Sequence, residues 1–314
     1  MSQTKDVKMV PSGRNAEKLV TVERLQGDIE YLTDTVFGGR ATGSRGANEA
    51  AFWIANSFRN AGLMPFSGRY SQSFRTEDAV GHNIIGFMPG TRSAKNETYV
   101  IVTAHYDSFG KLSGRILPGA NSNASGVVTM LNVMDMLKFM KDLGRVYGSS
   151  IIFLATDARE KNAAGAQAFV TALNAGEFKD PVSQKTIEAR QIKNTVVLDI
   201  LGATTEPLHK GGRKDYLIML GAAGDRYDLQ SANNNPGLSL ELGFDYYGSQ
   251  NFTDMIRYRT GDQKVFASNG MPCTIFTSGI TFKINNVEDN AESLNYEVLR
   301  KRVILIFHWL TKIL

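Results

Sequence analysis

The sequence lacks the features that would let it fold without a large hydrophobic core. It has a single cysteine, Cys273, among 314 residues, so neither an intrachain disulfide nor a metal site of paired cysteines can form. It has only 8 prolines, and no apolar run comes near the roughly 18 residues of a membrane span. Disulfide-rich, collagen-like and membrane-spanning folds are therefore excluded, and we expect no transmembrane segment.

A marked excess of one charge is missing as well. The 35 Lys and Arg against 31 Asp and Glu leave a net charge of +4, spread along the chain. Nucleic-acid-binding proteins concentrate positive charge on one face, so we expect no nucleic-acid partner. The first ten residues, MSQTKDVKMV, contain no apolar stretch of the kind that a signal peptide needs, so we expect no signal segment in this chain.

What the sequence does have is a series of short apolar runs bounded by turn residues. Four of them are rich in β-branched residues, which is the pattern of strands covered on both faces. Helical stretches separate the second run from the third and the third from the fourth, the order of parallel βαβ units. We predict a three-layer α/β fold with a mostly parallel, mixed sheet and helices on both faces. The predicted strands are residues 82–90, 98–108, 149–158 and 194–203, and the helices between them are residues 127–140 and 162–173.

The rest of the chain fits the same scheme. Two helices precede the sheet, between Leu25 and Val36 and between Ala50 and Leu63, because apolar residues recur there at helical spacing. Residues 1–20 are polar and predict a flexible lead-in, so we expect a single α/β domain over residues 21–314. The later predicted elements are strands at residues 215–220, 238–243 and 273–280 and helices at residues 251–259 and 294–314.

Polar side chains end several of the predicted strands. His105 and Asp107 close the second, Asp157 and Glu160 follow the third, and Asp199 interrupts the fourth. Ligands of open α/β sheets bind beyond the carboxyl ends of the strands, and imidazole and carboxylate groups suit zinc. Each residue also has a structural explanation, as a hydrogen-bonded strand-end histidine or as acids that cap helices or are solvated in loops. The apolar surroundings of Asp199 are the least ordinary, because a buried carboxylate needs a partner.

Seven segments in a characteristic order give the sequence a resemblance to a known family. They are NIIGFMPG, HYDS, PGANSNASG, FLATDAREKNAAGAQAF, VVLDILG, GDQKVFASNGMP and NVEDNAESLNYE. From about Leu25 to the C-terminus the chain resembles the zinc-dependent aminopeptidases of the di-zinc exopeptidases, which are related to glutaminyl cyclases and glutamate carboxypeptidase. The resemblance implies a zinc exopeptidase-like fold, in agreement with the predicted strands and helices.

The resemblance also implies a set of metal ligands, of which three are present. Family members hold two metal ions through the His of the HYDS motif, a bridging Asp, the second Glu of a Glu-Glu pair, an Asp in the fourth strand and a late His. The first Glu of the pair is the general base. His105, Glu160 and Asp199 match this pattern and are the remnant metal ligands of this chain.

The other positions depart from the family pattern. Asn121 stands at the bridging Asp, Arg159 at the general base and Asn285 at the late His, while Gln263 replaces a common His after Asp262. A neutral amide oxygen cannot screen two adjacent dications as a carboxylate does, and a guanidinium cannot accept a proton from water. We therefore expect no paired zinc, at most one zinc ion held weakly by His105, Asp199 and the Asn121 oxygen, and no catalysis by the family route.

An arginine in such a site also has a positive role. Without metal ions, Asp107, Glu160 and Asp199 would converge as uncompensated carboxylates. We predict that Arg159 takes the place of the missing metal ions and pairs with Glu160 or Asp199, the alternative being a surface residue on a variable loop. The residues that we expect to line the cleft are Asp107, Asn121, Arg159, Asp262 and Asn285.

Two functions follow from the resemblance and its departures. The first is a non-catalytic homologue that binds a peptide or a protein with a free N-terminus in the cleft. The alternative is a metal-dependent exopeptidase, an aminopeptidase that uses a rearranged single-metal site with Asp107 or Glu160 as base. The resemblance further implies an extracytoplasmic location, in the periplasm or outside the cell.

Overall fold

The sheet at the centre of the fold is built from the apolar runs of the sequence. The computed structural model describes residues 12–91, 97–204, 208–235 and 237–314. Within these ranges, nine strands form one mixed sheet and two more form a hairpin. The strands of the sheet are β1 (Met64–Pro65), β2 (Ser71–Arg75), β3 (Val80–Met88), β4 (Tyr99–His105), β7 (Ser150–Thr156), β8 (Ile192–Leu198), β9 (Tyr216–Leu220), β10 (Glu241–Gly243) and β11 (Cys273–Thr277), and the hairpin joins β5 (Gly110–Leu112) to β6 (Arg115–Leu117).

The sheet is parallel at its centre, antiparallel on either side of that centre, and parallel again between β9 and the edge strand β10. Its order is β1-β3-β7-β4-β8-β11-β9-β10, with β2 also paired to β3. Strand β4 runs parallel to β7 and β8, and β8 runs parallel to β11. Strand β3 is antiparallel to β7, and β9 is antiparallel to β11. The carboxyl ends of the four central strands therefore lie along one edge of the sheet.

Helices cover both faces of the sheet, as predicted. Every residue of β4 is buried, and its side chains alternate between two hydrophobic clusters. Val100, Val102 and Ala104 join the cluster on one face, whereas Tyr99 and Ile101 join the cluster on the other. The helices are α1 (Arg14–Glu17), α2 (Val22–Thr33), α3 (Arg45–Asn60), α4 (Ser125–Asp142), α5 (Ala164–Asn174), α6 (Ala223–Asn233), α7 (Gln250–Arg259), α8 (Gln263–Ser268) and α9 (Tyr296–Ile313). None of the helices in the described ranges is long and apolar enough to cross a membrane.

The N-terminal segment differs from the expected loose lead-in over part of its length. Helix α1 and the residues after it pack on the rest of the chain, with Ala16 and Val20 buried. Glu17 Oε1 lies 2.7 Å from His308 Nε2 on α9. Only these two apolar residues of a largely polar segment are buried, and two residues are too few to give a periodic pattern. The sequence therefore predicted a loop here. Residues 1–11 lie outside the described residues, and a single domain from residue 21 stays a prediction.

Elements at the margins of the sheet were missed or misplaced in the sequence prediction. Strands β1 and β2 were not predicted, and the strand expected over residues 238–243 is limited to β10. Helices α6 and α8 were not predicted either. Helix α6 reads AGDRYDLQSAN, in which Leu229 and Ala232 provide the buried apolar contacts. Such short or largely polar elements form because neighbours cover them, and their own sequence carries little of that signal.

The start of helix α4 approaches the sheet closely at Gly126. A Cβ atom added there would lie 2.4 Å from the Leu198 carbonyl oxygen and 2.4 Å from Asn123 Oδ1. Gly27 in α2 is the natural control, because a Cβ atom there would meet nothing within 4 Å. Gly126→Ala should lower the free energy of unfolding by about 1–3 kcal/mol through overpacking. Gly27→Ala should raise it by about 0.5–1 kcal/mol through helix propensity. Urea denaturation of both variants measures the two values, and equal effects would contradict the close approach.

Candidate functional site

Three neighbouring strands deliver the predicted site residues to one edge of the sheet. His105 is the last residue of β4, Asp157 directly follows β7, and Asp199 directly follows β8. Because β7, β4 and β8 are adjacent and parallel, their carboxyl ends meet, and ligands of such sheets bind at this edge. Asp157 and Asp107 are fully buried, and His105 and Asp199 are nearly so. The structure thus brings together the acids and the histidine that the sequence placed at strand ends.

His105 lies between two carboxylates. Its Nδ1 atom is 3.4 Å from Asp107 Oδ1, and its Nε2 atom is 3.4 Å from Asp199 Oδ1. Burial lowers the pKa of His105, but the carboxylates of Asp107 and Asp199 outweigh burial and raise it to about 10. The imidazole is therefore a cation at neutral pH. Burial acts to raise the pKa of Asp199, yet His105 and Arg159 hold that pKa below its usual value.

Arg159 lies on the other side of Asp199. Its Nη1 atom is 2.7 Å from Glu160 Oε1, and its Nη2 atom is 3.8 Å from Asp199 Oδ2. Burial disfavours its charge, but the carboxylates of Asp199 and Glu160 outweigh burial and raise the pKa of the guanidinium above its usual range. The side chain is 22% exposed, so it reaches the surface while its charged end faces the cluster. Arg159 and His105 together give Asp199 two cationic neighbours.

The loop that carries Arg159 is fixed at both ends by buried acids. Asp157 accepts hydrogen bonds from Ala158 N at 2.6 Å and from Thr42 Oγ1 at 2.8 Å. Asp107 Oδ2 accepts one from Glu160 N at 3.1 Å. Ala158 has a φ of 57°, and Asn162 and Ala163, further along the loop, also have positive φ values. Left-handed non-glycine residues are costly and persist where the surroundings hold them, so the loop has a defined conformation.

Asn121 is engaged with the backbone. Its Oδ1 atom accepts hydrogen bonds from Gly202 N at 2.8 Å and from Ala203 N at 3.2 Å. An amide oxygen has two lone pairs, and both are used here. The oxygen is therefore not free to complete a single-zinc site with His105 and Asp199, which differs from the expectation drawn from the sequence. Asn121 Nδ2 is buried and has no partner among the described residues.

Asp262 and Gln263 stand before and at the start of α8, and they face different surroundings. Asp262 is buried, accepts a hydrogen bond from Thr156 Oγ1, and burial raises its pKa to about 6. Gln263 donates from Nε2 to the Ile256 carbonyl oxygen at 2.8 Å. Asp262 thus belongs to the buried cluster of acids, whereas the Gln263 amide group is tied to α7.

Asn285 differs from the other predicted cleft residues in its exposure. It lies in a turn with a φ of 61° and is exposed, while Asp107, Asn121 and Asp262 are buried. That Asn285 lines the same cleft stays a prediction. The resemblance fixed its position in the sequence order, but left-handed turns favour Asn for reasons of backbone geometry alone.

Two residues that support the site were missed by the sequence interpretation. Arg40 is 1% exposed and donates to the carbonyl oxygens of Tyr106, Pro118 and Gly119, as well as to that of Leu32. Asp289 accepts from Asn121 N at 2.6 Å and from Ser122 N at 3.2 Å. Both hold the loop that carries Asn121 through backbone groups. Such contacts leave no motif in the sequence. The only indication that Arg40 has a special role was its place as a charged residue within the glycine-rich segment FGGRATGSRG.

Several buried polar atoms of the cluster lack a hydrogen-bond partner among the described residues. Buried polar groups are normally paired, so these atoms are candidates for contacts with solvent or a ligand. The pair of His105 Nε2 and Asp199 Oδ1, at 3.4 Å, is an ion pair rather than a well-formed hydrogen bond. The atoms are His105 Nε2, Asp107 Oδ1, Asn121 Nδ2, Arg159 Nε, Asp199 Oδ1 and Asp262 Oδ1.

The donors of the cluster do not fit a pair of zinc ions. The Asn121 oxygen is taken by backbone amides, and the Glu160 and Asp199 carboxylates both face the Arg159 guanidinium. A fixed cation at this distance repels a divalent ion from the same oxygens. Over the ranges described above, no group of three or more His, Cys, Asp or Glu side chains is arranged to hold a metal ion.

Comparisons with known proteins agree with the fold. Residues 83–310 match the model of peptidase family M28. The alkaline phosphatase isozyme conversion protein of Escherichia coli (strain K12) is 26% identical over 219 residues, which are 65% of this chain and 61% of that protein, so the match spans less than two thirds of this relative.

Solved structures cover nearly the whole chain. The LapA aminopeptidase of Legionella pneumophila has a TM-score of 0.70 at 15% identity, covering 98% of this chain and 76% of its own. BSAP, a zinc aminopeptidase from Bacillus subtilis, has a TM-score of 0.68 at 16% identity, with 97% and 96% covered. The glutaminyl cyclase of Macrostomum lignano has a TM-score of 0.67 at 17% identity, with 100% and 98% covered. At these identities the likeness concerns the fold.

Arg40 offers a test of how the site loop is held. The substitution Arg40→Met removes the hydrogen-bond donors to four backbone carbonyl oxygens at a buried position. We expect a loss of about 3–5 kcal/mol in the free energy of unfolding, measured by urea denaturation. The exposed Arg45, at the start of α3, is the matched control, and Arg45→Met should change stability by less than about 0.5 kcal/mol. Similar losses in both variants would contradict this role of Arg40.

Proposed function

The chain belongs to peptidase family M28, and from this membership we propose that it is a non-catalytic family member whose cleft binds a peptide or a protein with a free N-terminus. The observation that carries the proposal is the place of Arg159. In the resemblance drawn from the sequence, this residue stands at the general base. A guanidinium stays protonated in proteins, so Arg159 cannot accept the proton of an attacking water molecule.

The environment of Arg159 strengthens that argument. Asp199 and Glu160 raise its pKa rather than lower it, so the surroundings oppose a neutral form. Asn121 supplies no free oxygen for a bridge between two metal ions, since Gly202 N and Ala203 N occupy it. The base and the bridging ligand of the family mechanism are therefore both absent from this chain. Hydrolysis by that route would need a proton acceptor at residue 159 and a carboxylate at residue 121, and the chain has neither.

The charge of the cluster supports binding of a cation. The carboxylates of Asp107, Glu160, Asp199 and Asp262 face two cations, His105 and Arg159. Four acidic side chains thus outnumber the two cationic side chains of the cluster. A buried negative cluster attracts a positive group, and the α-ammonium of a peptide is such a group. Asp262 Oδ1, which has no hydrogen-bond partner among the described residues, is an acceptor for its protons.

A second candidate function has one observation in its favour. His105 Nε2 and Asp199 Oδ1 are buried, lie 3.4 Å apart and lack a hydrogen bond among the described residues, and imidazole and carboxylate are groups that bind zinc. A single zinc ion bound there would be a Lewis acid in an aminopeptidase with a rearranged site, with Asp107 or Glu160 as base. Family membership also supports an extracytoplasmic location, in the periplasm or outside the cell, for either function.

Metal content and hydrolysis separate the two functions. Protein purified without chelator should contain less than stoichiometric zinc, and it should not hydrolyse leucine p-nitroanilide above background with or without added zinc, because base and bridging ligand are missing. Elemental analysis and absorbance at the nitroaniline band measure the two quantities. Stoichiometric zinc together with turnover that His105→Ala abolishes would replace the proposal by the single-metal aminopeptidase.

Ligand binding tests the retained cleft. Leucinamide has a free α-ammonium group and should bind the full chain at least about tenfold more tightly than N-acetyl-leucinamide, since the neutral acetamide loses the attraction of the acids. Isothermal titration calorimetry measures both affinities. Asp262→Asn should weaken binding of leucinamide, whereas Asp78→Asn, at an exposed ion pair, should not. Equal affinity for the two compounds would contradict recognition of a free N-terminus.

A further inference from the structure

The buried acids of the site share one resident positive side chain. We propose that Arg159 is the permanent counter-ion of this cluster, that it makes the folded chain independent of metal ions, and that a divalent ion binds only by displacing it. The inference deepens the proposed function, since it concerns the same cleft. It rests on the positions of Arg159, Glu160 and Asp199 and on the charges that these positions bring together.

The first step concerns the charge that Arg159 neutralises. Glu160 Oε1 lies 2.7 Å and Asp199 Oδ2 lies 3.8 Å from its guanidinium, and both carboxylates are less than one sixth exposed, at 15% and 12%. Carboxylates held this close to one another in a partly buried cleft repel, and breaking a buried ion pair leaves an uncompensated charge. His105 is already shared between Asp107 and Asp199. Removal of the guanidinium therefore leaves Glu160 without its cationic partner and leaves Asp199 with only one of its two cationic neighbours.

The second step concerns the direction of the side chain. The backbone of the loop is fixed before Arg159 by the hydrogen bond from Ala158 N to Asp157, and after it by the hydrogen bond from Glu160 N to Asp107. Both acceptors are fully buried. These two anchors fix the backbone position from which the Arg159 side chain starts. The guanidinium itself is held by its contacts with Glu160 and Asp199.

The third step concerns competition with metal ions. The oxygens that a divalent ion would take on this side of the site, Glu160 Oε1 and Asp199 Oδ2, are those that face the guanidinium. Two cations cannot occupy the same side of one carboxylate pair without strong repulsion. A metal ion must then displace Arg159, which lowers its affinity. Without the guanidinium, the carboxylate oxygens of Glu160 and Asp199 are open to a divalent ion, although the described residues hold no preformed group of three metal ligands.

Thermal unfolding with and without zinc tests the inference on the full chain. Wild-type protein stripped of metal should unfold at the same temperature in EDTA and in a modest excess of zinc chloride. Arg159→Gln keeps the length and polarity of the side chain but removes its charge. In EDTA its melting temperature should lie at least about 3 °C below that of the wild type, and zinc should restore at least half of the difference.

Lys161 provides the matched control on the same loop. It pairs with the exposed carboxylate of Asp78 instead of the buried acids. Lys161→Gln removes the same charge two residues away and should change the melting temperature by less than about 1 °C in either solution. Arg159→Lys should keep most of the wild-type melting temperature in EDTA, since it keeps the charge. If Arg159→Gln does not fold in EDTA while Arg159→Lys does, folding requires the positive charge at residue 159, and the counter-ion role is supported.

Two results would overturn the inference. One is a wild-type melting temperature that falls in EDTA, because metal ions would then be the counter-charge. The other is an Arg159→Gln variant as stable as the wild type in EDTA. Neither readout depends on hydrolysis or on leucinamide, so a failure of the proposed function and a failure of this inference are distinguishable. Loss of leucinamide selectivity with the expected melting temperatures would reject only the proposed ligand.

Discussion

The structure of the candidate site depends on the neutralisation of carboxylates where three parallel strands end together. Strands β7, β4 and β8 run side by side, so the polar residues that end them cannot avoid one another. Asp107, Asp157 and Asp199 are all at least nine-tenths buried there. Each uses a different solution, with backbone amides for Asp157, a shared imidazolium for Asp107, and two cations for Asp199. The loop that carries Arg159 supplies a cation to Asp199 and backbone amide groups to Asp157 and Asp107.

The central part of the fold could be predicted from the sequence because burial on both faces leaves a strong pattern. Strand β4 reads YVIVTAH, and no solvent-facing position interrupts it. The margins lack that pattern. Strand β2 reads SQSFR at an edge, with alternating exposure, and α6 is held by α9 more than by its own composition. Local sequence therefore specifies the centre, while the margins take their form from neighbours that are distant in the chain.

The site could be predicted in part, for a related reason. His105, Asp107, Asp157, Glu160 and Asp199 were identified because a polar residue at the end of an apolar strand is visible in the sequence. Arg40 and Asp289 were not identified, because they bind backbone carbonyl and amide groups of other segments. Every residue carries such groups, so these contacts leave no signal in the sequence. Asn285 shows what such a resemblance leaves open. Its place in an ordered series of segments predicted a cleft position, whereas its exposure depends on how the turn around it is folded.

The substitutions at the site are best understood together, as a change of charge. Measured against the family pattern in the sequence, Asn121 removes one negative charge, and Arg159 removes another and adds a positive one. With the pKa of His105 raised to about 10, its protonation adds one more positive charge than a metal-binding, neutral imidazole has. All three changes make the cluster more positive. A cluster of buried acids requires positive charge from some source, and in this chain the side chains of His105 and Arg159 supply it.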